Sequence, residues 1–271
     1  MKIPGVIPLV LISLTTYSLP LQAQLASPVS KRTERSRIRT QQPKFPDNGA
    51  PTGRRRGGTS RDGCPVLSTP LTALVPGEET LASGGRTETK LISTSFLAST
   101  VTSYPTFWFY IPQLPSTVRF GEFVLQNQAG DDVYRTLVTL PQEPGAIGIS
   151  LPSSQQYSLQ INKKYHWYFK VYCGETHKTP EYFFVDGWVQ RVKLIPSLIS
   201  QLKMAKSAKY MAYAANNIWY DALTDLANSR HTDPHNAVLA KDWVDLLSSA
   251  GLQDLTHVPI NQRYSQLPNR M

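Results

Sequence analysis

Beyond its first fourteen residues the chain has no apolar run near the roughly 20 residues a membrane-spanning helix needs, so none is expected in the mature protein. Cysteine is scarce. The two present, Cys64 and Cys173, form no Cys-x-x-Cys pair and have no His cluster beside them, which argues against a metal site. No Gly-x-Ser-x-Gly, His-Glu-x-x-His, Walker or Rossmann pattern occurs, so no motif names a catalytic residue or a cofactor. Excess charge is missing from most of the chain as well. Residues 63–271 hold seventeen Lys or Arg against sixteen Asp or Glu, whereas residues 24–62 hold ten against three, so the net charge of +9 belongs mainly to that short stretch.

What is present begins with a leader-like segment. Lys2 precedes an apolar stretch over 3–14, and Pro20 and Leu21-Gln22-Ala23 supply a cleavage site before Gln24. This is the outline of a secretory signal peptide over 1–23, which places the mature protein in the periplasm or outside the cell. Residues 24–62, rich in Arg, Ser, Thr, Pro and Gly, read as a flexible basic linker. Its Arg54-Arg55-Arg56-Gly57-Gly58 run has the composition of RNA-binding segments. Behind a signal peptide, contact with an anionic envelope polymer or lipid surface fits better, and no nucleic-acid partner is expected.

The remainder is mainly β with a C-terminal α part. Three aromatic stretches dominate, at 104–112, 165–173 and 182–192, and the first holds Phe107-Trp108-Phe109-Tyr110-Ile111 unbroken. Short strands at 71–75, 120–127, 132–140 and 146–151, with turn residues between them, complete an antiparallel immunoglobulin-like β-sandwich over 63–193. Residues 78–102 read as a long polar loop or ragged hairpin. In 165–173 the odd positions Tyr165, Trp167, Phe169, Val171 and Cys173 share the core face. A Cys64–Cys173 disulfide would then staple the start of the domain to a central strand; two buried thiols are the alternative.

From Pro196 the period becomes helical. Three amphipathic helices are expected over 194–252, the first running through Leu198, Leu202, Met211 and Ala214 to a stop at Asn216-Asn217. The second carries Trp219, Leu223 and Leu226. The third is restarted by Asp233-Pro234, carries Trp243, Leu246 and Leu247, and stops at Gly251. Residues 253–271 read as a C-terminal tail, frayed over 256–271.

Gly63-Cys64-Pro65, Pro105-Thr106-Phe107-Trp108-Phe109-Tyr110-Ile111-Pro112, Trp167-Tyr168-Phe169 and Val185-Asp186-Gly187-Trp188-Val189-Gln190-Arg191-Val192 are similar to the cyanobacterial family catalogued as domain of unknown function 928. The resemblance spans about 56–252. It implies an exported bacterial protein and brings no catalytic residue with it. More weakly, Asn217-Ile218-Trp219-Tyr220-Asp221-Ala222-Leu223 with Asp233-Pro234 resembles the second half of a tetratricopeptide unit, whose face must pack on the sandwich or on a partner.

Two functional readings follow. One is a non-catalytic cell-envelope module whose helices and sandwich present a groove to another envelope protein or a peptide. The other is a carbohydrate-binding or carbohydrate-active protein using Trp108, Tyr110 and Trp188, with Asp186 as the neighbouring acid; it needs these rings exposed in one patch, whereas such aromatics are more often core, which favours the first reading. Asp186-Gly187 reads as a bulge or turn beside that site. His231, Asp233 and His235 are close enough in sequence to be weighed as metal ligands, but they straddle Pro234.

Overall fold

The computed structural model describes residues 53–57, 64–77, 79–84, 88–93 and 96–264. Residues 1–23, read as a signal peptide, and most of 24–62, read as a basic linker, lie outside these. The described residues form twelve strands and four α-helices. One five-stranded sheet orders β1 (Arg56–Gly57), β2 (Leu71–Ala73), β6 (Thr106–Ile111), β9 (Gly145–Ser150) and β12 (Ile260–Tyr264). The other orders β5 (Leu97–Thr100), β11 (Tyr182–Arg191), β10 (Lys164–Tyr172), β7 (Phe120–Gln126) and β8 (Asp132–Thr139). Strands β3 (Glu79–Gly84) and β4 (Glu88–Ser93) pair as a separate hairpin.

The inner faces of the two sheets meet through aromatic rings. Phe109 of β6 stacks on Phe169 of β10 at 4.4 Å, and Phe107 lies 4.8 Å from Phe123 of β7. Strand β10 alternates between buried and half-exposed residues, as a strand with one covered face does. Strand β6 is buried at every position because its other face is covered too: Trp108 donates to Thr224 of α3 (Trp219–Thr232) at 3.0 Å. The β7–β8 turn is held by Asn127, whose side-chain oxygen accepts from the N–H groups of Ala129 (2.9 Å) and Asp131 (3.0 Å), with Gly130 supplying a φ of 88°.

Cys64 and Cys173 are joined in a disulfide, with their Cα atoms 5.1 Å apart. Cys173 follows β10, so the bridge ties the entry of the fold to a central strand.

Several expectations need correction. Residues 53–57 are part of the fold: Arg54 and Asp186 exchange backbone hydrogen bonds of 3.1 and 2.8 Å, which links the start of the chain to β11. Arg55 is buried and donates to the carbonyl of Ala250 at 2.7 Å, while Arg56 makes a paired salt bridge to Asp254. Main-chain pairing needs no apolar residues, so a reading by composition misses it. The sheets are not wholly antiparallel. Strand β5 runs parallel to β11, and β12 runs parallel to β9; long intervening segments permit both. Strand β12 lies within the expected tail, whose residues 265–271 are outside the described ones, and Tyr264 donates to the carbonyl of Thr139 at 2.7 Å. Gly187 is neither bulge nor turn. It pairs in regular register with Trp167, and a side chain there would collide with that indole.

The helical part has four helices rather than three. Lys206, at φ 48°, separates α1 (Pro196–Ala205) from α2 (Lys209–Ala215). Asn217, at φ 57°, ends α2 as expected. The restart before α4 (Ala237–Ser249) belongs to Asn236, which accepts from Val238 and Leu239, while Asp233 closes α3. The helices share the core of the sheets. The Tyr220 ring packs edge-on to Phe107, and its hydroxyl accepts from the Trp167 indole at 2.8 Å. Trp219 donates to the carbonyl of Leu74 at 2.8 Å.

Candidate functional site

Where α3 docks beside β5 and β6 it leaves a cleft of about 270 Å³. Its walls are Thr102, Tyr104, Pro105 and Thr106 on the strand side, and Tyr213, Tyr220, Asp221, Thr224, Asp225 and Asn228 on the helix side. Asp221 and Asp225 are four residues apart on α3, so both project to one face. No Lys or Arg lines the cleft among the described residues.

Each carboxylate is positioned by backbone from another element. One Asp221 oxygen accepts from the Thr100 hydroxyl at 2.6 Å and the Val101 N–H at 3.1 Å, at the end of β5. Burial pushes the Asp221 carboxyl up to about 6, and these hydrogen bonds pull in the opposite direction. Asp225 accepts the Tyr210 N–H at 2.8 Å, which supplies the first turn of α2 with a partner its own helix lacks. Burial also raises Asp225, against the pull of that N–H and of the nearby Lys209 charge. Tyr213 is raised by burial and by the two carboxylates. The cleft therefore holds two acids in surroundings that disfavour their charge, beside hydroxyls and aromatic rings. A cationic group entering it would meet carboxylates that gain from being paired.

The four residues singled out from the sequence do not converge. Trp108 and Tyr110 are buried on β6. Asp186 and Trp188 lie elsewhere, on the outer face of β11. There the Asp186 carboxylate and His166 Nε2 are hydrogen-bonded at 2.8 Å, the Tyr168 hydroxyl and His166 Nδ1 at 2.7 Å, and the imidazole stacks on Trp188 at 4.2 Å and 10°. His231, Asp233 and His235 are exposed around the end of α3, and among the described residues no three such groups are placed to hold a metal. The cleft acids were missed, although their four-residue spacing on a helical stripe was a visible signal. The partners of Asp221, at Thr100–Val101, are more than a hundred residues away in sequence.

A family model described as Domain of Unknown Function (DUF928) matches residues 56–260, from β1 into β12. The chain belongs to this family. No curated protein matches it. The DUF928 match takes in both sheets apart from most of β12, both cysteines and all four helices, so the cleft walls lie wholly within the family region.

Proposed function

We propose that this DUF928 protein is an exported, non-catalytic cell-envelope module that binds a protein or peptide in the cleft between α3 and the β5–β6 connection. The observation that carries this reading is the pairing of Asp221 and Asp225 in a tyrosine-lined cleft whose walls hold no cation among the described residues. The ligand group that complements it is a lysine or arginine side chain: its charge pairs with two half-buried carboxylates, and its stem packs on Tyr104 and Tyr213. Export is supported by the Cys64–Cys173 disulfide, a bond favoured in oxidising compartments, and by the leader-like residues before Gln24. Among the described residues no helix is long and apolar enough to cross a membrane. We group the two-sheet part with immunoglobulin-like sandwiches on the strength of its facing aromatic sheets. We group α2 and α3 with tetratricopeptide-type hairpins because the small residues Ala212, Ala214 and Ala222 are buried among them.

The test uses the mature native chain and a panel of end-blocked tripeptides centred on lysine or on acetyl-lysine, titrated by calorimetry. The lysine peptides should bind, and acetylation and Asp221→Asn should each weaken binding at least tenfold. Equal affinity for both peptide sets would sink the proposal.

A further inference from the structure

The outer face of the β5-β11-β10-β7-β8 sheet is separate from the cleft and carries a repeated pattern. Along one face of β11 stand Tyr182, Phe184 and Trp188, spanning roughly 20 Å at strand spacing. Each ring is held by a polar neighbour. Lys170 lies 5.1 Å from the Tyr182 ring centre, Arg54 lies 4.8 Å from that of Phe184, and His166 stacks on Trp188. Tyr168 and Tyr172 of β10 extend the field on the same side. Tyr182 is 41% exposed, and Phe184, Trp188, Tyr168 and Tyr172 are half-buried, so aromatic surface reaches solvent across two adjacent strands.

The carboxylates of this face are engaged within it. Glu122 pairs with Arg135 at 2.8 Å and Lys170 at 3.4 Å and accepts from the Tyr172 hydroxyl; Asp132 pairs with Arg135; Asp186 is hydrogen-bonded to His166. A strongly anionic or cationic ligand would have to break these pairs. A neutral ligand with apolar C–H faces and many hydroxyls would not: its faces stack on the rings, and its hydroxyls meet the flanking donors and acceptors. We infer that this sheet face is a binding platform for a neutral oligosaccharide chain, with Trp188, Phe184 and Tyr182 as successive stacking positions and the more accessible Lys170, Arg135 and Asp132 as hydrogen-bonding groups. The fixed rings cost little ordering entropy on binding. No hydrolysis is implied, since Glu122 and Asp186 are each engaged in the structure.

The experiment is affinity electrophoresis of the mature native protein in gels containing soluble β-glucan, galactomannan or, as the charged control, polygalacturonate. Retardation by at least one neutral polymer is expected. Tyr182→Ala and Trp188→Ala should each weaken it at least tenfold, while Asp221→Asn leaves it unchanged. Tyr182 is exposed, so its variant tests the platform even if Trp188→Ala fails to fold; circular dichroism checks both. The inference is overturned by no retardation in either neutral polymer, by retardation that both folded variants retain, or by binding to polygalacturonate alone that salt abolishes.

Discussion

Replacing Asp221 by Asn separates the charge of the cleft from its shape. In the folded protein burial lifts the Asp221 carboxyl from 3.8 to about 6. The folded state therefore binds this proton more tightly than the unfolded chain does. Its contribution to stability is fully present below the unfolded value, is lost as pH rises through about 6, and beyond that leaves a partly desolvated anion. A shift of about two units corresponds to about 3 kcal/mol, an upper bound because the residue lines an open cleft and keeps some contact with solvent. Asn keeps an oxygen to accept from Thr100 and Val101, and its added N–H₂ costs about 1 kcal/mol if it finds no partner. The stability of Asp221→Asn minus that of the wild type should thus climb by about 2–3 kcal/mol between about pH 4 and about pH 7.5. Near neutrality the variant should be the more stable, with a melting temperature several degrees higher. Urea unfolding at both pH values, with the disulfide intact, measures the difference, and titrations elsewhere in the chain cancel in it. A difference that is the same at both pH values would refute the reasoning.

Other expectations follow from the same packing. The disulfide closes a separation of 109 residues, worth up to about 4.7 kcal/mol on the chain-entropy model; reduction and Cys64→Ser should lower the melting temperature alike in thermal scans. Tyr220→Phe removes the acceptor of the buried Trp167 indole and should cost about 1–3 kcal/mol by urea titration. Gly187→Ala forces a methyl against Trp167 and should cost about 1–3 kcal/mol, with a changed near-ultraviolet circular dichroism signal from the displaced indole.

Much of the β part was legible because strands buried on one face show it in alternation. Tyr165, Trp167, Phe169 and Val171 point inward in β10, and this register placed Cys173 beside its partner. Whether Trp108 and Tyr110 reach solvent stayed open in the sequence because period-two reasoning sees one covered face, whereas β6 has a helix over the other. Arg54, Arg55 and Arg56 looked solvated because composition says nothing of a backbone partner at Asp186 or a carbonyl at Ala250. The cleft was out of reach for a related reason: Thr102–Thr106 and Asp221–Asn228 meet only once α3 docks, through contacts such as Trp108 to Thr224.

The most direct measurement is the number of protons released when a lysine tripeptide binds, obtained by calorimetry in two buffers of different ionisation enthalpy. At about pH 6 Asp221 is roughly half protonated, and pairing with a cation favours its charged form, so about half a proton should leave on binding. Release should fall toward zero near about pH 7.5 and vanish in Asp221→Asn, together with most of the affinity. Binding at about pH 6 without proton release, and with affinity unchanged in Asp221→Asn, would contradict the assignment of the cleft as the recognition site.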